Sequence, residues 1–304
     1  MITLKQLEEL RKKLRNKYIF CIIITLVITI ILVVITKEPI YSISMIMFGY
    51  IITYIFTNKL AKEYSIAYKN YFVKTSLEKV FENLKYQPDN GIPCSTINST
   101  NMIYTGTRYS SNDLITGNYK TIGFTQSDIH IQDERTRTDS NGNTKTYYVT
   151  IFKGRWMIFD FNKSFKSDVQ VTQKGFENSK ITSCFSKKNK FQKVEMESQE
   201  FNEKFNVYAK QPLEAFYILT PRIMEKILTL DKKNEGKLLL CFVDKKLHVG
   251  IYDNNDSFEH KNVFKDINKQ EIKNNIYKDI QKITMFIDEL ELNNDLFKRT
   301  NIEK

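Results

Sequence analysis

Two stretches near the N-terminus lack any polar periodicity. Tyr18 to Thr36 and Pro39 to Thr57 are apolar runs of 19 residues each, without a charge, separated only by Lys37 and Glu38. At about 1.5 Å per helical residue each run spans roughly 28 Å, close to the ~30 Å hydrocarbon core of a bilayer. The pattern predicts a transmembrane helical hairpin over 18–57, with spans 18–36 and 39–57. Small and hydroxylated residues mark one face of each span: Thr25, Thr29 and Thr36 on the first, and Ser42, Gly49, Thr53 and Thr57 on the second. Lipid gives apolar helices no hydrophobic reason to associate, so these stripes are the expected contact. Counted from the link, Thr36 falls near Ser42, Thr29 near Gly49 and Thr25 near Thr53. The alternative is that each hydroxyl bonds back to its own helix.

Around the hairpin the periodicity is helical. Leu4, Leu7, Leu10 and Leu14 recur among charges and predict a basic amphipathic helix over 1–17, which either lies on the inner leaflet or leads into the first span. After Thr57 a cytosolic helix or stalk is expected over 58–88, ending at the turn-forming cluster Pro88-Asp89-Asn90-Gly91-Ile92-Pro93. From about residue 100 the period becomes two. Strands are expected at 118–124, 128–132, 146–152, 156–161 and 168–172, with a hairpin across the polar segment 133–145 and a bulge or bend at Gly154. Thr220-Pro221 is a helix start, a hydroxyl cap followed by proline at the first helical position. Leu238–Val243 and Leu247–Tyr252 read as a second hairpin. Ile272, Ile276, Ile280, Ile283, Ile287 and Leu290 form the apolar stripe of a C-terminal helix within 259–304. The fold class is therefore α+β: a two-helix membrane hairpin, then a mixed cytosolic domain over 89–258 with an antiparallel sheet, then a C-terminal amphipathic helix.

Charge sets the orientation. The chain has 304 residues and a formal charge of +11. Residues 1–17 carry +4 and residues 58–74 carry +3, leaving only +4 for the rest. The basic flanks Arg11, Lys12, Lys13, Arg15, Lys17, Lys59 and Lys62 are expected at the inner leaflet, so both termini face the cytoplasm across two spans of the cell membrane. A nucleic-acid partner is not expected, since Lys187-Lys188-Asn189-Lys190 and Lys232-Lys233 are too short to make a basic surface and read as solvated loops. The lipid bilayer is the expected partner, with a membrane or cytosolic protein as a second.

Candidate chemistry is sparse. The four cysteines, Cys21, Cys94, Cys184 and Cys241, lie far apart, and His130, His248 and His260 share no metal-ligand spacing, so neither metal nor cofactor is expected. The phosphate-loop, dinucleotide, zinc-protease and nucleophile-elbow motifs do not occur in the sequence. Asp160 and Asp168 are the only acid pair suggested by position. Trp156, Phe159, Phe161 and Phe165 read either as core or as a binding surface.

Particular segments carry a family likeness. Asp113-Leu114-Ile115-Thr116-Gly117, Phe152-Lys153-Gly154, Asp160-Phe161-Asn162-Lys163-Ser164-Phe165, the run from Glu197 to Ala209 (ESQEFNEKFNVYA), and Tyr217-Ile218-Leu219-Thr220-Pro221 resemble a bacterial domain-of-unknown-function family, numbered 3137. The likeness covers most of residues 10–258. It implies an N-terminal hydrophobic hairpin followed by a cytosolic domain, and it brings no catalytic set. The expected function is a membrane-anchored cytosolic binding or scaffold protein. The alternatives are an enzyme with an unrecognised site and a lipid or envelope-stress sensor.

Overall fold

The structure is a computed structural model that describes residues 2–38, 40–140, 142–161, 166–176, 191–259 and 262–292. It divides into two units: Met1–Ser76 with Phe258–Tyr277, and Leu77–Ser257 with Lys278–Lys304.

The first unit is built on a long helical hairpin. Helix α1 runs unbroken over Leu4–Thr36. Thr3 caps it, its Oγ1 accepting the Gln6 N–H while the Gln6 side chain accepts the Thr3 N–H. The basic segment leads into the first apolar run as the first part of α1, with no proline or glycine to interrupt it. Lys37 ends α1 in the left-handed conformation, its N–H reaching Val33 O at 2.9 Å. Helix α2 spans Ile40–Tyr68 and is followed by a π-helical turn over Lys69–Lys74. Both helices extend past their apolar runs, and there Leu7, Leu14, Leu60, Tyr64 and Tyr68 are buried. Along the runs themselves the side chains stand outward: Phe20, Val34, Ile35, Tyr50, Ile55 and Phe56 are each at least 60% exposed. The two helices are long and apolar enough to cross a membrane.

The stalk expected to continue to residue 88 gives way earlier. The last helical turn ends at Leu77, and Glu82–Gln87 is strand β1. Leu84 and Tyr86 alternate with exposed Lys85 and Gln87, and pairing with a neighbouring strand outweighs the helical spacing.

The second unit is one antiparallel sheet of nine strands among the described residues, ordered β1-β2-β3-β4-β9-β8-β5-β7-β6. Its strands are β2 (Arg108–Tyr119), β3 (Ile122–Thr138), β4 (Thr144–Asp160), β5 (Val169–Gln173), β6 (Gln192–Val194), β7 (Phe205–Ala209), β8 (Lys237–Val243) and β9 (Lys246–Tyr252). The stretch 118–124, expected as one strand, contains the β2–β3 turn, where Lys120 and Thr121 both take positive φ. Asp244 and Lys245 do the same between β8 and β9, which matches the twist of a tight hairpin. Gly154 is not a bend: β4 passes straight through it, and its φ of 152° leaves the Ile251 carbonyl where a Cβ would stand. The bulge falls at Ile151, between the pairs Ile131↔Phe152 and Gln132↔Thr150.

Short helices α3 (Cys94–Ser99), α4 (Gln199–Lys204) and α5 (Pro212–Ile218), and longer α6 (Pro221–Lys233) and α7 (Lys269–Glu289), complete the chain. Thr220 caps α6, its hydroxyl accepting the Ile223 N–H. Lys232 and Lys233, expected in a loop, form the last turn of α6 and pair with Glu200 and Glu289. The segment 187–190 lies outside the described residues. Ile97, Met102, Ile129, Ile131, Phe152 and Trp156 form the centre of an apolar cluster with Leu239 and Cys241. Phe286 of α7 stacks on Phe159 with ring centroids 6.2 Å apart. Trp156, Phe159 and Phe161 are all buried, so this aromatic stretch is core; Phe165 lies outside the described residues.

Candidate functional site

The base of the hairpin, where α1 and α2 leave their apolar runs, is rich in charged residues. Arg11 is wholly enclosed there. Its guanidinium bonds to the Glu8 carboxylate, to Asp266, and to the carbonyls of Val263 at 2.9 Å and Lys265 at 2.8 Å. Glu8, its strongest partner, raises the Arg11 pKa against the opposing effect of burial. Arg11 therefore does not belong to the leaflet-facing flank: its charge is consumed inside the unit. Lys69 is likewise buried, paired with Glu259 at 2.6 Å. Lys12, Lys13, Lys59 and Lys62 are exposed, and Arg15 and Lys17 half-buried. A shallow depression of about 400 Å³ beside them is lined by Ile2, Gln6, Glu9, Leu10 and Lys13.

The small-residue stripes come together in a different register from the one expected. A Cβ on Gly49 would lie 2.2 Å from Thr25 Cγ2, so Gly49 faces Thr25, one turn from Thr29. Thr29 is buried, Ser42 and Thr53 are half-buried, and Thr36 is exposed. The hydroxyls of Thr25, Thr29, Thr36 and Thr53 donate to carbonyls four residues back in their own helices, at 2.7 to 2.9 Å. Close approach of the backbones at Gly49 is thus accompanied by hydroxyls satisfied within each helix.

In the sheet unit, the charged cluster that sequence reading missed lies across β3 and β4. Asp128 and Arg155 are cross-strand partners, both buried. Ser257 donates its N–H and its hydroxyl to the Asp128 carboxylate, at 2.6 and 3.0 Å. Arg155 Nε donates to Ser257 Oγ at 3.2 Å, and Nη1 and Nη2 grip the Asp279 carbonyl and carboxylate at 2.7 and 2.8 Å. Burial pushes the Asp128 carboxyl well above its usual range, and Arg155 opposes that shift. The available signal was weak: Asp128 follows polar Gln126 and Ser127, and Arg155 lies two residues from Lys153, so neither charge stands out in its strand. Enclosed and mutually bonded, these groups tie β3 and β4 to α7.

A second polar row crosses the other side of the sheet. Gln170, Cys241 and His248 are successive cross-strand neighbours on β5, β8 and β9. The Thr100 carbonyl accepts from Gln170 Nε2 at 2.7 Å, and Trp156 donates its indole N–H to His248 Nδ1 at 3.3 Å. Burial, aided by Lys246, lowers the His248 pKa to about 4, while burial raises that of Cys241. The imidazole is neutral and the thiol protonated at neutral pH, which suits neither a nucleophile nor its base. His130 touches Thr150 at 3.3 Å, and His260 and Cys184 lie outside the described residues. Asp160 and Asp168 do not form an acid pair. They end one row of the sheet three strand steps apart, about 14 Å at ~4.8 Å per step, and Asp168 is bound to Lys210.

The family-like segments occupy shaping positions. Asp113, at positive φ in the β2 bulge, receives the Tyr86 hydroxyl and the Asn112 amide. Ser198 caps α4, and Thr220 caps α6.

Among solved structures, the chain aligns with the crystal structure of the mycobacterial trehalose monomycolate transport factor A, TtfA, at 10% identity and a TM-score of 0.39, covering 75% of this chain and 94% of that one. No curated protein matches it. Over residues 150–292, through the end of α7, the chain matches the family model described as Protein of unknown function (DUF3137), the same family its motifs resemble.

Proposed function

We propose that the protein is a membrane-anchored scaffold. The hairpin α1–α2 holds it in the bilayer with both termini cytoplasmic, and the sheet unit binds a protein partner in the cytosol. The observation that carries this reading is the outward-facing apolar belt on α1 and α2, far larger than the patches a soluble monomer exposes. The excess of Lys and Arg on the flanks over the link supports the orientation.

The partner-binding element in this reading is the outer part of the β3–β4 hairpin. Residues 133–138 and 144–149 extend beyond the pairing of β2, which stops at Gln132, and of β9, which stops at Gly154. A lone two-stranded ribbon is marginal in water. This one carries exposed Tyr147 and Tyr148, with the Arg108 guanidinium 4.3 Å from the Tyr148 ring centroid. Aromatic and arginine side chains of this kind anchor protein interfaces.

In-cell crosslinking of the full-length chain, followed by mass spectrometry of what co-purifies, tests the proposal. A stoichiometric protein partner, lost in the Tyr147→Ser, Tyr148→Ser variant, is the expected result. Recovery of self-crosslinks and lipid alone would refute the scaffold reading.

A further inference from the structure

The cations at the base of the hairpin divide into two sets. Arg11 and Lys69 are buried and bound to carboxylates of their own unit. Lys12, Lys13, Arg15, Lys17 and Lys59 form no ion pair among the described residues. Position separates the sets further. Lys12 to Lys17 lie within about 9 Å, along the helix, of the start of the apolar run at Tyr18, and Lys59 within about 3 Å of its end at Thr57. Thr25 faces Gly49, so stepping outward equally along antiparallel α1 and α2 brings Arg15 level with Lys59. Arg15 is half-buried, and its Nε is enclosed without a hydrogen-bond acceptor among the described residues. That fixes the stem of the side chain against the hairpin. The opposing acids at this end are Glu8 and Asp266, engaged by Arg11, Glu259, engaged by Lys69, and the exposed Glu9 and Glu63.

We propose that Lys12, Lys13, Arg15, Lys17 and Lys59 form a collar that takes the phosphodiesters of anionic phospholipids, with the Arg15–Lys59 level as its centre. The inference rests on the membrane reading above and names the lipid class which that anchor selects. A guanidinium offers a fork of donors matched to phosphate oxygens, and lysines add point charge around it. Each cation near an anionic leaflet contributes about fivefold in association. The internal pairing of Arg11 and Lys69 sharpens the collar, because it removes from the contact two charges that sequence alone would count.

The test is reconstitution of the full chain into nanodiscs of mixed phosphatidylglycerol and phosphatidylcholine, with the retained lipids counted by native mass spectrometry. Phosphatidylglycerol is expected to be enriched about fivefold or more over phosphatidylcholine. The enrichment should fall to parity in the variant Lys12→Gln, Lys13→Gln, Arg15→Gln, Lys17→Gln, Lys59→Gln, whose helix content in pure phosphatidylcholine discs reports its folding. Parity in the wild-type protein, or enrichment that survives in a folded variant, overturns the collar. Loss of enrichment on adding inorganic phosphate at constant ionic strength would reassign the site to free phosphate and overturn it too. Failure of the wild-type chain to enter discs of either lipid would instead refute the membrane anchor itself.

Discussion

Arg11 and Asp266, 255 positions apart, form an ion pair in which the arginine is fully enclosed while the aspartate side chain remains 88% exposed. The asymmetry assigns the work. Arg11 also holds the backbone carbonyls of Val263 and Lys265. Arg11→Met is expected to destabilise the hairpin unit by about 2–4 kcal/mol, because the carbonyls and Glu8 lose a charged donor. Asp266→Asn is expected to cost under about 1 kcal/mol. Thermal unfolding of the detergent-solubilised full chain compares them, and equal, mild effects would contradict the assignment.

Gly49 leaves room for Thr25 and for nothing larger. Gly49→Leu is expected to force the helices apart and cost about 1–3 kcal/mol, read as faster proteolysis in detergent. Thr25→Gly in the same chain should restore part of the loss, since it vacates the space the leucine enters. A double variant no better than the single would mean that the contact lies elsewhere.

Gln126 on β3 is buried, and neither polar atom of its amide has a hydrogen-bond partner among the described residues. Its cross-strand neighbours are Ile115 and Met157. Replacing it with methionine keeps the shape and removes two orphaned groups. Gln126→Met is expected to stabilise the protein by about 1–2 kcal/mol, and a fall in the urea midpoint would overturn that account.

His248 supplies a pH dependence with a definite sign. Its pKa is about 4 when folded, against 6.5 ordinarily, so the folded chain binds fewer protons at this site. Its contribution is complete above pH 6.5 and is lost as the pH falls towards 4, by at most about 3 kcal/mol. Urea unfolding across that window should show the decline, and His248→Gln, which still offers Trp156 an acceptor, should flatten it.

What the sequence disclosed depended on whether a signal was local. The two apolar runs, the cap at Thr220, the β8–β9 hairpin and the isoleucine stripe of α7 are written in consecutive residues, and each appears in the structure. Strands β1 and β7 alternate over only five or six residues, β1 within a segment that also carries helical spacing, and β6 has no independent pattern. Gln192–Val194 is three residues long and exists because β7 offers it a ladder. The β2–β3 turn at Lys120-Thr121 contains neither glycine nor asparagine, so its left-handed pair was invisible. The candidate site was half legible. The basic flanks could be read from composition. That Arg11 and Lys69 are withdrawn from them could not, because their partners Asp266 and Glu259 lie far along the chain.

The first unit joins residues 1–76 to residues 258–277, with residues 77–257 of the sheet unit inserted between them. A ribosome therefore delivers the hairpin long before the segment that closes it. Until Val263 and Lys265 emerge, Arg11 lacks the two carbonyls it holds in the folded chain, and the base of the hairpin stays open. A chain that stalls inside the sheet would carry that buried-site charge unmet, so the hairpin unit is complete only once residues beyond 265 have been made.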